Sequence, residues 1–336
     1  RGSALACPAC GALAQPVHDR LRRSWRHLDF FQFEAWLHAD VPRVSCASCG
    51  KTSMVAVPWA RQGSGFTLLF EALALSLCRE LPVAHAARQL RVQAHRLWRR
   101  IAHYVTQARA LDDMSAVEHI GIDETSVRRG QQYITVVHDL SAKRLLFATL
   151  GRGHETVASF VQDLQAHGGA PEAVQHVCMD MSAAYLKGVR QSLPKAAISY
   201  DRFHVAALAG KAMDEVRSTE LREDTSKVRQ ALDVQPKVRR TLQWAMRTNH
   251  THWNARHAQV MYALQRSHLK SARAWRLKEG LRRVYEAAGA ANNEAVAREA
   301  LGKWLSWARR CRLEPFKKLA LTLKAHLAGV IQGMLD

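Results

Sequence analysis

The stretch "HVCMDMSAAY", residues 176–185, ends an apolar run on a carboxylate, Asp180, and passes into helical periodicity. An acid is costly to bury unless it is paired, hydrogen-bonded or holding a metal. Asp180 is therefore expected at the mouth of a strand built on Val174, Val177, Cys178 and Met179. Two uses compete for it. Asp180 and Ser182 lie where a helix N-cap belongs. Alternatively, Asp180 works with a second acid, Asp123 in "GIDETSV". Carboxylates brought together repel each other, and a divalent cation relieves the repulsion. Mg2+, or Mn2+ in its place, takes hard oxygen ligands, and a pair of such ions serves phosphodiester cleavage. A second set of chemical groups is made of thiols. Cys7 and Cys10 in "CPACG" recur as Cys46 and Cys49 in "CASCG", each pair followed by a glycine that permits a tight turn. Four thiolates so spaced suit a structural Zn2+, with a disulfide or redox pair as the competing use. Cys78, Cys178 and Cys311 lie singly in apolar or helical contexts, where buried free thiols are usual.

Composition bounds the setting. The 336 residues suggest two or three domains, and an apolar content of 48% is ample for packed cores. Lys and Arg number 49 against 29 acids, a formal net charge of +20 that favours a polyanionic partner such as nucleic acid. No apolar run approaches the roughly 18 residues of a membrane span, and the start lacks the apolar core of a signal peptide. An intracellular protein without a membrane partner is expected. The first residue is Arg1 rather than Met, which leaves room for a segment upstream.

The elements that would position these groups follow from periodicity. Between the cysteine pairs, "WRHLDFFQFEAWLHADVPRVSC" is rich in aromatic and branched residues with near alternation and reads as strands, giving a zinc ribbon over 1–58. "VPWARQGSGFT" reads as a Pro/Gly-punctuated linker. Over 64–110, "LLFEALALSLCRE", a short helix opened by Pro82, a turn at "RVQAH" and "RLWRRIAHYVTQA" have helix-turn-helix proportions. Five arginines and no acid between Arg88 and Arg100 favour a phosphate-facing helix carrying Arg96, Arg99 and Arg100 over a plain trihelical bundle with a solvated basic face. Three strands, "VEHIGIDETSV", "QQYITVVHDL" and "KRLLFATL", the first turn being "RRG", precede the amphipathic helix "HETVASFVQDLQAHG". The strand "AVQHVCMD", the helix "AAYLKGVRQSLP" and the strand "AAISYD" follow. That order matches a ribonuclease H-like sheet, in which the first and fourth strands are neighbours, setting Asp123 beside Asp180. The fold class expected is thus multidomain α+β: ribbon, helix-turn-helix, and a ribonuclease H-like α/β core over 116–204. An all-helical insertion and C-terminal region, with tryptophans 244, 253 and 275, occupies 205–336.

"GIDETSVRRGQQYITVVHDL", "CMDMSAAYLKGVRQSLPKAAISYDRFHV" and the "VPWARQGSGFT" stretch resemble the ISL-three family of bacterial insertion-sequence transposases, over almost the whole chain. The resemblance implies an Asp-Asp-Glu enzyme that binds double-stranded DNA at terminal inverted repeats and in the target. It implies metal-dependent cleavage and strand transfer by a homodimer or larger assembly, in a bacterial cytoplasm at the nucleoid. Asp123 and Asp180 would be the first two ligands for Mg2+ or Mn2+. Asp201 and His204 in "DRFH" match an acid-x-x-His motif found near the core of several such transposases, with helix-start packing beside Phe203 as the competing use of His204. The family's closing Glu lies in an Asn-Gly-x-x-Glu-Gly-x-Asn stretch. This sequence stops at "GVIQGMLD" without it, so the chain is expected to be truncated before its final catalytic helix. Glu279 in "RLKEGLRRVY" is the tempting substitute, but it reads better as solvated helix surface. The alternative to the enzyme is a catalytically incomplete transposase acting as a DNA-binding repressor. A general ribonuclease or resolvase is a remote third reading.

Overall fold

In the computed structural model, which describes residues 5–128, 132–232 and 238–335, the aromatic-rich stretch between the cysteine pairs forms two antiparallel strands. These are β1 (Val17–Arg26) and β2 (Trp36–Ser45), with the short β3 (Thr52–Met54) added to β2. So small a sheet buries little: one cluster holds Trp25, Val41 and Ala60, and another holds Val44 with Cys7 and Cys46. The stretch read as a linker is not a spacer. Trp59 meets Trp25 edge to face at 5.6 Å, Phe66 bridges to Arg26 at the end of β1, and the Thr67 N–H donates to the Arg26 carbonyl at 3.0 Å. Two aromatic side chains outweigh the local glycines and order the segment.

Thr67 then caps α1 (Leu68–Glu80), accepting the Phe70 N–H at 3.3 Å. α2 (Val83–Gln89) starts after Pro82, and α3 (Ala94–Ala110) completes the trio around Phe66, Phe70, Ala74, Ala86, Leu90 and Leu97. Ribbon and helices lie in the first of two compact units, which ends at Asp112.

The second unit, from Asp113, carries a five-stranded sheet. β4 (His119–Arg128), β5 (Gln132–Asp139) and β6 (Arg144–Leu150) form an antiparallel meander. The turn read at "RRG" falls mostly on residues 129–131, outside the described residues. α4 (His154–Ala166) leads to β7 (His176–Met179), and α5 (Ala183–Ser192) leads to β8 (Ala197–Tyr200). The spatial order is β6-β5-β4-β7-β8, with β4, β7 and β8 parallel. Ile120 and Ile122 of β4 and Val177 and Met179 of β7 alternate into the core, as period-2 burial requires.

Beyond β8 the described chain is helical. The helices are α6 (Arg202–Glu223), α7 (Thr225–Leu232), α8 (Val238–Arg247), α9 (Ala255–Arg266), α10 (Lys270–Ala291), α11 (Glu294–Arg310), α12 (Glu314–Ala325) and α13 (Leu327–Leu335). Sheet and helices share one continuous hydrophobic core. α13 returns to the sheet and packs on β8, where a Cβ on Gly333 would stand 2.2 Å from the Tyr200 carbonyl oxygen, a backbone atom that cannot swing aside. His326, capping the preceding helix, holds the Tyr200 hydroxyl through Nδ1 at 3.0 Å. Gly333→Ala is expected to destabilise this unit by about 1–3 kcal/mol through overpacking. Gly302→Ala, on open surface of α11, should stabilise it by up to about 1 kcal/mol. Denaturant unfolding followed by tryptophan fluorescence measures both, and equal effects at the two sites would contradict the packing of α13.

Candidate functional site

Four sulfurs converge in the ribbon. Residues 7–11 and 46–50 make matching turns, in which the Gly11 N–H donates to the Cys7 carbonyl at 2.8 Å and the Gly50 N–H to the Cys46 carbonyl at 2.9 Å. Both glycines have positive φ, 77° and 68°, which lets each turn close under its sulfurs. Sγ of Cys7 lies 3.8 Å from that of Cys49, Cys10 lies 3.5 Å from Cys46, and all four fall within 4.8 Å of one another. Zinc bonded to four sulfurs at about 2.3 Å sets them about 3.8 Å apart, so the donors fit that ion. The Cys49 backbone N–H leads the influences that lower the Cys46 thiol to about 6. Cys10 goes the other way, up to about 12: the Ala12 backbone lowers it, but its contacts with the other thiols and burial outweigh that. Thiols this close cannot all ionise without a cation among them.

The arginines between Arg88 and Arg100 divide by partner. Arg91 pairs with Asp29 and reaches the Gln32 carbonyl at 3.0 Å, tying the helices to the β1–β2 hairpin. Arg96 lies over the Phe66 ring at 4.2 Å. Arg100, 15% exposed, reaches Glu71 at 3.5 Å. Glu71 is fully buried in α1, and burial works to raise its carboxyl. Hydrogen bonds from Ser64 at 2.6 Å and Tyr104 at 2.6 Å, with Arg61 at 3.3 Å, outweigh burial and hold it below the usual carboxylate range. The face expected to carry three solvent-facing arginines therefore carries Arg99 in the open, with Arg96 and Arg100 half-buried behind it. Arg96, Arg99 and Arg100 still line one cleft beside Gly63 and Gly65. Burial, then the like charges of Arg100 and Arg99, depress the Arg96 guanidinium.

In the sheet, Ile122 of β4 pairs with Met179 of β7, and Met179 pairs with Tyr200 of β8. Each of the three is followed by an acid, so Asp123, within β4, and Asp180 and Asp201, just past the ends of β7 and β8, stand in one row across three adjacent parallel strands. Asp123 is 56% exposed. One oxygen of Asp123 accepts the Glu124 N–H at 2.7 Å, and one of Asp180 accepts the Ser182 N–H at 2.8 Å. Ser182 occupies the N-cap of α5 without a side-chain cap bond, so Asp180 braces the turn before the helix and is not itself the cap. Asp201 does cap α6, accepting the Phe203 N–H at 2.8 Å. One turn on, His204 Nε2 lies 3.5 Å from Asp123 and 3.8 Å from Asp201, and its ring also meets Phe203 edge to face. Under the row, the Tyr185 hydroxyl is held by Thr135 at 2.9 Å. Burial first, then the charges of Glu124, Asp180 and Asp123, push this phenol up. Glu279 sits elsewhere on α10. It is 13% exposed and locked to Lys278 at 2.9 Å and Arg282 at 2.8 Å, so its reading as solvated surface is corrected. Among the described residues, the four cysteines alone bring three or more metal-ligating atoms within 4.8 Å; the acids do not.

Residues 120–335 match the ISL3 family described as transposase. The chain belongs to the ISL3 transposase family. Within it, residues 55–105 match the helix-turn-helix domain of transposase family ISL3, and residues 4–49 match the zinc finger of the IS204, IS1001, IS1096 and IS1165 transposases. The transposase for insertion sequence element IS1557 of Mycobacterium tuberculosis is 30% identical, over 98% of this chain and 78% of that protein. The transposase for IS1001 of Bordetella parapertussis is 25% identical, over 97% and 78%. The trihelical segment is thus a transposase helix-turn-helix domain, and the cysteine-bearing sheet is a transposase zinc finger. No helix among the described residues is long and apolar enough to cross a membrane.

Two residues of this transposase escaped sequence reasoning. Glu71 organises the DNA-binding helices, and its signal was an acid inside the apolar run "LLFEALALSL". Tyr185 is fully buried with its hydroxyl held by Thr135, yet in "SAAYLKG" it has no local mark beyond helical spacing. Protein purified without added metal is expected to carry one zinc per chain by elemental analysis. Cys46→Ser should release it and unfold the ribbon while leaving the second unit's melting intact. Stoichiometric retention of zinc by Cys46→Ser would contradict the four-sulfur site.

Proposed function

We propose that this ISL3 transposase binds the terminal inverted repeats of its element as double-stranded DNA and performs metal-dependent cleavage and strand transfer. The proposed core is ribonuclease H-like, with Asp123 and Asp180 as ligands of Mg2+ or Mn2+ and the helices after β8 as an insertion. The observation that carries this reading is the register of β4, β7 and β8, which sets Asp123, Asp180 and Asp201 in one row. Asp123 and Asp180 each use one oxygen on a local backbone N–H and keep the other for a hard cation. When bound, the metal would activate the attacking oxygen and stabilise the leaving one. The residues themselves concentrate negative potential above Tyr185, while His204 braces Asp123 and Asp201 from the first turn of α6. Arg96, Arg99 and Arg100 are the proposed phosphate contacts, with Arg99 the most accessible. One observation favours a second reading, DNA binding and repression without cleavage: among the described residues the acids of the row do not bring three ligating atoms within 4.8 Å of one another.

Mn2+ binding followed by electron paramagnetic resonance should weaken at least about tenfold in Asp180→Asn, and unchanged binding would remove Asp180 from the site. Labelled element-end DNA incubated with Mg2+ separates the two readings. Cleavage lost in Asp180→Asn supports the enzyme, and binding without cleavage supports the repressor. For DNA binding, Arg99→Ala should lower the slope of log affinity against log salt by about 0.9. Arg100→Ala should in addition cost about 1–3 kcal/mol of stability in the first unit, because Glu71 loses a partner. Identical behaviour of the two variants would mean that both side chains serve DNA alone.

A further inference from the structure

Between α6 and α10, immediately after Asp201, lies a cavity of about 190 Å3. That is far more than the roughly 10–15 Å3 needed to hold one water. Its floor is apolar, formed by Ala206, Leu281 and the ring of Tyr285. Tyr285 is 5% exposed, and its hydroxyl, buried in that wall, has no hydrogen-bond partner. That hydroxyl has no accessible surface on the cavity, so the wall presents the carbon face of the ring. The rim is cationic. Lys278 and Arg282 share Glu279, whereas Arg202 has no carboxylate within salt-bridge distance among the described residues and lies over the Tyr285 ring at 5.6 Å. Next along the same turn, the Phe203 side chain is 72% exposed beside His204.

We infer that this pocket receives a single unpaired nucleobase at the DNA end, with Phe203 as the wedge beside it. The inference rests on the DNA reading above and goes beyond it by naming the part of the DNA that is held and the residues that hold it. A planar base supplies the apolar faces the floor asks for. Its own phosphate meets the rim. A guanidinium plane such as that of Arg202 is a stacking surface for a base. An exposed aromatic beside the pocket can fill the gap left in the stack when the base leaves it. Taking a nucleotide out of the duplex costs least where it is already unpaired, so a splayed end is the favoured ligand. Placement next to Asp201 would fix the scissile strand relative to the acid row.

The test uses the full chain and two DNA probes of one sequence, one fully paired and one with two unpaired terminal nucleotides, the last a photoreactive 4-thiothymidine. The splayed probe is expected to bind about five- to a hundredfold more tightly, the range set by stacking of one base on an aromatic or planar group. Irradiation should place the crosslink, mapped by mass spectrometry, on α6 or α10 at the pocket wall. Ala206→Met fills the cavity and should cut the preference for the splayed probe while leaving paired-duplex affinity unchanged. Equal affinity for the two probes, or crosslinks confined to other elements, overturns the pocket while leaving the DNA reading intact. Failure to bind either probe overturns both.

Discussion

The parallel pairing of β4, β7 and β8 is the constraint on which the acid row of the second unit depends. Parallel neighbours lie about 4.8 Å apart, and their ends align only if the register does. Here Ile122, Met179 and Tyr200 form one rung, and the residues following them are all aspartates. A slip of one residue on β7 would turn Val177 and Met179 out of the core and remove Asp180 from the row. The apolar alternation that folds the sheet is therefore also what aligns the carboxylates. Asp180 and Asp201 stand just past strand ends and Asp123, although within β4, is 56% exposed, so none bears the desolvation cost of a buried mid-strand acid.

The first unit solves a different electrostatic problem. A run of arginines near DNA is useful, but guanidinium groups crowded on one short helix repel each other and oppose folding. Two acids absorb part of that charge inside the unit. Asp29, on the β1–β2 hairpin, takes Arg26 and Arg91, and Glu71, buried in α1, takes Arg61 and Arg100. The same stretch consequently divides, with Arg100 paired inside the unit and the adjacent Arg99 open to solvent.

What the sequence made legible was whatever a local pattern carries. The cysteine spacing foretold the turns that bring four sulfurs together, and alternation located all five strands of the second unit. Helical periodicity found α1 to α3. What remained hidden depended on contacts between residues distant in the chain. Nothing local distinguishes Arg100 from Arg99, because the difference is Glu71, twenty-nine positions away. The glycines and proline of residues 57–67 argued for a spacer, whereas Trp59 and Phe66 bury against β1 and order it. Glu279 looked like one more charge on a helix face, yet Lys278 and Arg282 close around it and leave it 13% exposed. Asp180 fitted a cap by position, but the bond it makes, to the Ser182 N–H, belongs to the turn before the helix.

The helices after β8 bear on the acid row through Tyr200. That side chain is held from one direction by His326, and α13 lies against its backbone at Gly333 and against its ring at Gly329. Tyr200 ends β8, the next residue is Asp201, and Asp201 starts α6 by capping it. Any shift of α13 must therefore move the end of β8, and with it the first turn of α6 that carries Arg202, Phe203 and His204. Since close-packed interfaces respond to displacement as units rather than by gradual deformation, the contact of α13 with β8 ties the last described helix to the position of the row. A helix that looks remote from Asp123 in sequence is two contacts away from it: from α13 to Tyr200, and from the adjoining α6 through His204 to the carboxylate.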